Sequence, residues 1–584
     1  MNEQAKAAAT ARRMVSVYQI LAEDLKSMGV DTVFGLMSDD TAHFGVSVDA
    51  TGIRFLGARH ENTAIAMADG FAAATGRLAV ACIGRGPALT NGLHGATFAS
   101  RTGNPVLIIY GDAPTRSAAG NSSGPDYKAL DQLGVLRAAG IRTFVPTGPD
   151  VARQTLADAA TAARVGATVA LLLPVNIQLA SVEISPDVPS PAPIDAHPVP
   201  RRPVKPAEAR SLATAATILA SARRPLILAG YGAYLSGARD ALILLAKKTG
   251  ALLATTARGK ELFRGHPFNL GIIGSFSHSA ARRMATESDC VIAFGASLNI
   301  LTMSFGESLP DVPLIQVDAV RTNIGRWTAA DVAVVGDARL VAEQLLDAVP
   351  DRADADKPHH GAETRALLSE FDITQDFQPA NTARTIDPRS LAVTLNRLLP
   401  ATRNMVFDAG NFVGVVPFFD VPGPAHFKMT TDFASIGLGF GAALGFARAR
   451  PDETTVLVIG DGGFLMTMGE LETVVREDLP LVIVVMNDCA YGAELHFLRL
   501  RQLPVSKSIF PDVDFAPIAE ALGYCAHTIR SLNELEALAP ELAAPSEPVF
   551  LDCKINADVA APFMSEVAAA DARRQSAGEG RDRS

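Results

Sequence analysis

Two acidic residues stand at the ends of neighbouring apolar runs, in the stretch Val456–Glu494, VLVIGDGGFLMTMGELETVVREDLPLVIVVMNDCAYGAE. Val456–Ile459 reads as a buried strand, Gly460-Asp461-Gly462-Gly463 as a tight turn, Met468–Glu477 as a helix and Leu481–Met486 as the next buried strand, ending in Asn487-Asp488. In such a βαβ unit Asp461 and Asp488 fall side by side at the C-terminal edge of a parallel sheet, where open α/β sheets bind ligands. Gly462 and Gly463 let the backbone approach a phosphate closely, and a helix start supplies N–H donors for the anion. Carboxylate and phosphate oxygens together make a hard, octahedral site suited to Mg²⁺. The predicted chemistry is a diphosphate held through a divalent metal. A GDGG tetrapeptide alone is an ordinary strand-to-helix turn; the second acidic strand end is what makes the reading specific.

These residues resemble the signature of the thiamine-diphosphate enzymes of the pyruvate decarboxylase, acetohydroxyacid synthase, benzoylformate decarboxylase and benzaldehyde lyase superfamily. That signature is Gly-Asp-Gly followed at the next strand end by Asn-Asn; here it reads Gly460-Asp461-Gly462 and Asn487-Asp488. The resemblance implies thiamine diphosphate and Mg²⁺ as cofactors, the metal being held by Asp461, Asp488 and the main-chain carbonyl of Ala490. Asp488 departs from the family's usual Asn and adds a negative charge facing the diphosphate.

A second match lies far upstream. Ala58-Arg59-His60-Glu61 ends a predicted strand, Ile53–His60, and opens a helix, NTAIAMADGFAAATG. The family carries a His-Glu pair in this setting. A carboxyl in an apolar pocket has a raised pKa and can share a proton with N1′ of the cofactor's aminopyrimidine; that is the catalytic role the resemblance implies for Glu61. Taken alone, Glu61 reads as a first-turn glutamate complementing a helix dipole. A third match is FASIGLGFGAALGFA (Phe433–Ala447), in which Ile436 holds the position of the residue that props the cofactor in its bent form. The small residues of that stretch also suit close packing of a helix. Gly410 and Asn411, in Asp408-Ala409-Gly410-Asn411, resemble the loop that touches the diphosphate.

Other residues bear on which reaction is run. Asp39, after the predicted strand Asp31–Phe34, matches an aspartate of pyruvate decarboxylases and reads either as a proton relay or as a helix N-cap. Glu494 matches their active-site glutamate and reads either as an acid–base group or as a solvated helix residue. His496 and His94 are further candidates or packed structural histidines. Lys128 stands where acetohydroxyacid synthases carry Gln, as an attractor for a substrate carboxylate or as a surface lysine. Pyruvate decarboxylases have a His-His pair near the end of the first domain, and none is found. A 2-oxo acid decarboxylase, an acetolactate-synthase-like carboligase and an acyloin lyase stay open, as does a non-catalytic thiamine-diphosphate-binding paralogue, although a binding module needs no Glu61. Gly230-Tyr231-Gly232 is an incomplete dinucleotide fingerprint read as structural glycines, and FAD is not expected.

The elements that must position these residues follow from the pattern. The expected fold class is α/β, with three successive doubly wound parallel-sheet domains: an N-terminal pyrimidine-binding domain over 14–185, a central domain over 207–348 and a diphosphate-binding domain over 387–560. A Pro-rich linker (186–206), a charged linker (349–386) and a flexible tail (561–584) complete the division. Apolar runs bounded by Gly or Pro, such as Leu78–Gly84 and Pro105–Asp112, read as strands buried on both faces. The 584 residues are 48% apolar and 20% charged, values that exclude disorder over the whole chain. A net charge of −10 argues against nucleic acid as a partner. Five scattered cysteines suit a reduced cytoplasmic protein, and no run suggests a membrane span or a signal segment. The expected partners are a small 2-oxo acid, aldehyde or acyloin. The resemblance further implies a homodimer or homotetramer with active sites between chains.

Overall fold

Strand positions in this chain are filled by Val, Ile, Leu and Ala on both faces, and the sheets they build are correspondingly parallel and covered on both sides. The computed structural model describes residues 13–115, 126–184, 204–352 and 357–581, with side chains as far as Arg573. Arg13–Ser16 (β1) pairs antiparallel with Ser181–Ile184 (β8). Between them Thr32–Gly35 (β2), Arg54–Gly57 (β3), Ala79–Ile83 (β4), Val106–Asp112 (β5), Arg142–Phe144 (β6) and Thr168–Pro174 (β7) form a six-stranded parallel sheet of order β3-β2-β4-β5-β7-β6. Helices Glu61–Thr75 (α1) and Pro87–Thr102 (α2) follow β3 and β4.

The central sheet contains Pro225–Ala229 (β9), Leu252–Thr255 (β10), Asn269–Ile272 (β11), Cys290–Phe294 (β12), Leu314–Asp318 (β13) and Val332–Val335 (β14), in the order β11-β10-β9-β12-β13-β14. A Cβ on Gly230 would lie 2.2 Å from the Gly295 carbonyl oxygen, so the glycines after β9 serve close packing against the end of β12. The third sheet contains Arg403–Phe407 (β15), Phe427–Met429 (β16), Thr454–Gly460 (β17), Leu481–Asn487 (β18), Cys525–Ile529 (β19) and Val549–Lys554 (β20), in the order β16-β15-β17-β18-β20-β19. The first and third sheets therefore share one strand order. In each it reverses beside the first long strand, between β2 and β4 and between β15 and β17, where a ligand crevice is expected.

The first and third domains are packed into one apolar core that runs from Phe34 and Ile65 to Phe440 and Phe464. Its centre is the contact of α1 with Leu438–Ala449 (α3). A Cβ on Gly445 would lie 2.1 Å from the Met67 carbonyl oxygen, and one on Gly70 would lie 2.2 Å from that of Ala442. Only glycine permits this approach. A buried ion pair, Lys428 Nζ to Asp69 Oδ2 at 2.6 Å, crosses the same interface.

Four expectations change. The strand before Glu61 is shorter than Ile53–His60, because its last residues turn to start α1. Gly460–Gly463 is not a free turn: Asp461–Thr467 (α4) is helical from its first residue. The connection expected over 349–386 contains a helix, Ala362–Glu370. The segment expected as a flexible tail is a helix, Pro562–Arg581, and its first turns dock: buried Glu566 accepts from Ser275 Oγ and, at 3.0 Å, from Arg282 of the central domain. A polar, small-residue sequence does not show a tertiary anchor of this kind. Residues 186–203 of the Pro-rich linker lie outside the described residues. Among the described residues no helix is long and apolar enough to cross a membrane, and the five cysteines are free thiols.

Candidate active site

Parallel pairing of β17 with β18 sets Gly460 opposite Met486, which brings the residues after both strands together. Asp461 is buried. Its Oδ1 accepts from Gly462 N–H at 2.9 Å and its Oδ2 from Ala490 N–H at 3.2 Å. Asp488 Oδ1 accepts from the same Ala490 N–H at 3.1 Å. Cys489 takes a left-handed conformation (φ 55°) to close this turn, and Ala490 is buried beneath it. Burial pushes both carboxyls up, and for Asp488 the charge of Asp461 adds to the effect. A buried carboxylate, Asp461, and a half-buried one, Asp488, share one N–H and crowd negative charge together. Hard oxygen donors so arranged fit a divalent cation such as Mg²⁺.

Asp408, at the end of β15, was absent from the sequence-derived site and organises it. It is fully buried and accepts from Gly437 N–H (2.6 Å), Gly439 N–H (3.0 Å) and Thr430 Oγ1 (3.0 Å). Burial pushes its carboxyl up to about 6. These bonds fix the entry to α3, so half-buried Ile436 is held just before Gly437, whose φ of 90° favours glycine. A Cβ on Gly463 would lie 2.4 Å from Asp408 Oδ2, and one on Gly462 would lie 2.6 Å from the Tyr491 ring. Gly410 precedes buried Asn411. The side chain of Asn411 faces the C-terminal segment: Nδ2 donates to the Val559 carbonyl (2.9 Å) and Oδ1 accepts from Ala561 N–H (2.8 Å).

Glu61 is the first residue of α1, half-buried, and its Oε2 accepts from Asn91 Nδ2 of α2 at 3.2 Å. The third domain holds the backbone just before it. Buried Glu470 accepts from Arg59 N–H at 3.0 Å and from Thr473 Oγ1 at 2.7 Å, and burial raises its carboxyl. Arg54 pairs with Glu477 at 2.7 Å on the same face. Neither Glu470 nor Asn91 carried a sequence signal; the Glu470 contact joins residues more than four hundred positions apart. Among the described residues no hydrogen bond or ion pair joins Glu61 to Asp461, Asp488 or Ala490 within the chain.

The remaining candidates separate. Asp39 is not an N-cap, since Thr41 precedes the helix Ala42–Ala50. Its side chain is 65% exposed and paired with Lys128, whose ammonium holds the carboxyl below the usual carboxylate range. Lys128 also donates to Asp40 Oδ2 at 2.9 Å, and Arg85 to Asp40 Oδ1 at 2.7 Å. This charged network sits where the order of the first sheet reverses. Lys128 is therefore engaged by carboxylates of its own chain. Glu494 is exposed in the first turn of Gly492–Leu500 (α5). His496, on the same helix, is buried, and burial lowers its pKa. His94 is half-buried, with its ring centroid 5.9 Å from that of Phe433.

Comparison with known proteins was made on this geometry. Three sequence families match in order: thiamine pyrophosphate enzyme, N-terminal TPP binding domain (residues 15–135); thiamine pyrophosphate enzyme, central domain (212–345); and thiamine pyrophosphate enzyme, C-terminal TPP binding domain (408–553). A probable acetolactate synthase large subunit of Methanocaldococcus jannaschii is 30% identical over 94% of this chain and 93% of its own. A probable 2-ketoarginine decarboxylase of Pseudomonas aeruginosa is 28% identical over 90% and 91%. Acetolactate synthase isozyme 3 large subunit of Escherichia coli is 25% identical over 93% and 95%.

Proposed function

Because this chain belongs to the thiamine pyrophosphate enzymes, we propose that it breaks or forms a C–C bond next to a carbonyl, using thiamine diphosphate and Mg²⁺, with a 2-oxo acid as substrate. Within that class the reading is an acetolactate-synthase-like carboligase, supported by its acetolactate synthase relatives. The observation that carries the proposal is the pair of buried Asp461 and half-buried Asp488 on one N–H.

Asp461, Asp488 and the Ala490 carbonyl would hold Mg²⁺, and Gly462, Gly463, Gly410 and Asn411 would border the diphosphate. When bound, thiamine diphosphate supplies the centre that stabilises carbanion character at the reacting carbon. Asp408 fixes Ile436 as a prop beneath it. Glu61 would hydrogen-bond the pyrimidine ring nitrogen through its carboxyl, which Asn91 orients directly and Glu470 through the Arg59 backbone. The working unit is a homodimer or homotetramer: among the described residues Glu61 makes no bond to Asp461, Asp488 or Ala490 of its own chain, and Leu465 and Met466 beside Asp461 are exposed. Unpaired cysteines fit a cytoplasmic enzyme.

A second reading, simple decarboxylation to an aldehyde, takes Glu494, exposed on α5, as the proton donor, with Asp39 as the corresponding group of the first domain. Acyloin cleavage is the reverse of the carboligase step and uses the same residues. The test is dialysis against EDTA, then assay of CO₂, aldehyde and acyloin from a panel of 2-oxo acids. Activity should vanish and return with thiamine diphosphate plus Mg²⁺. Full turnover in protein free of both would sink the proposal.

A further inference from the structure

Strand β19 closes one edge of the third sheet, and its alternation puts Cys525 and His527 on one face. The short helix Ala539–Ala543 brings Glu541 to that face. His527 Nε2 lies 3.5 Å from Cys525 Sγ and 3.2 Å from each Glu541 oxygen. One donor atom from each residue lies within 4.8 Å of the other two. A tetrahedral zinc site with metal–ligand lengths of ~2.3 Å to sulfur and ~2.0–2.2 Å to nitrogen and oxygen has S···N edges of about 3.5 Å and N···O edges of about 3.3 Å. The two edges that meet at His527 therefore match such a site, and the third lies within 4.8 Å. An ion pair between His527 and Glu541 would account for one edge of the triangle; it does not require a sulfur at the third corner.

We infer that Cys525, His527 and Glu541 bind a divalent transition metal of the zinc type, separate from the cofactor site. Thiolate and imidazole select a borderline-soft ion over Mg²⁺. The parallel register sets Cys525 level with Val549 and Val482, at the start of the strands, whereas Asp461 and Asp488 follow their ends. The two sites thus lie at opposite edges of one sheet. On binding, the S–H proton passes to solvent and the freed sulfur pair enters the metal's coordination sphere; nothing is oxidised or reduced. Water fills the fourth position. His527 also lines an open surface cavity of about 490 Å³, which provides a route of entry. The metal would tie the edge strand to the helix covering it, protecting unpaired backbone groups that otherwise template aggregation.

The experiment titrates Co²⁺ into full-length protein saturated with thiamine diphosphate and Mg²⁺, reading the thiolate-to-cobalt charge-transfer band. One equivalent should produce the band. Cys525→Ser should abolish it, and Glu541→Gln should weaken Co²⁺ binding at least ~10-fold, the smallest effect expected of a group that supports a metal. Cys489→Ser, at the other half-buried cysteine, and Asp488→Asn, at the cofactor site, should leave it intact. Melting without Co²⁺ checks that each variant folds. Absence of the band in the wild-type protein, its survival in Cys525→Ser, or its loss in Cys489→Ser would overturn the assignment.

Discussion

Replacing Lys428 by Met removes the ammonium paired with Asp69 across the contact of the first and third domains, and the expected loss can be worked from the geometry. The two side chains are 6% and 0% exposed, and their atoms are 2.6 Å apart. Asp69 Oδ1 keeps bonds from Thr102 Oγ1 (2.6 Å) and Asn104 Nδ2 (2.7 Å), both neutral donors. Removing one partner of a buried pair costs about 3–5 kcal/mol, because the other charge stays buried. The two surviving bonds set the expectation at the lower end, about 3 kcal/mol. At roughly 2 °C per kcal/mol for a large cooperative unit, the melting temperature should fall by about 6 °C. Adding Asp69→Asn removes the stranded charge, so the double variant should recover on the order of 2 kcal/mol relative to additivity. Urea unfolding followed by far-UV circular dichroism should show the loss. Trp327, the one tryptophan, is 56% exposed in the central domain, and its fluorescence transition should move less. The interface reasoning is refuted if Lys428→Met unfolds at the wild-type midpoint, or if the double variant loses the sum of the two singles.

Three further outcomes follow from the site and its supports. Glu61→Gln should lower turnover and exchange of the cofactor's C2 proton by about 10²–10⁴-fold while cofactor affinity stays within a few-fold, whereas Asp461→Ala should weaken cofactor binding first; wild-type exchange in Glu61→Gln would reduce Glu61 to a helix-start residue. Glu470→Gln should reduce turnover about 10-fold through displacement of the Arg59–Glu61 backbone, and should add nothing in a Glu61→Gln background; additive losses would contradict a positioning role. Buried His359, at about 4, is held neutral by desolvation, with Arg224 adding to the effect. Its native state binds a proton less tightly than the unfolded chain, so its contribution to stability is complete above about pH 6.5 and is lost as pH falls toward 4, by roughly 3 kcal/mol. His359→Leu should flatten the acid limb read by Trp327, and an unchanged limb would assign the acid sensitivity elsewhere.

The sequence by itself determined the sheets and the juxtaposition of Asp461 with Asp488, because both follow from one strand–helix–strand unit. A strand buried on both faces must be written as a continuous apolar run, as in Pro225–Ala229 and Cys290–Phe294, and a parallel sheet must place its functional loops after strand ends, as at Asp461 and Asp488. The start of α1 at Glu61 was legible for the same reason. What the tertiary structure decided involves partners distant along the chain. Glu470 and Arg59 meet only after two domains dock. Asp408 acquires its role from Gly437 and Gly439, which any buried strand-end aspartate could have left unbound. Lys128 looked free to meet a substrate carboxylate until Asp39 and Asp40 were brought to it. The C-terminal helix reads as a polar tail because its anchor, Glu566, gains its meaning from Ser275 and Arg282 of the central domain. The glycines of α1 and α3 have the composition of any small-residue helix, and their selection of each other is decided by shape: only the folded surfaces reveal that a single Cβ would collide with the opposing backbone.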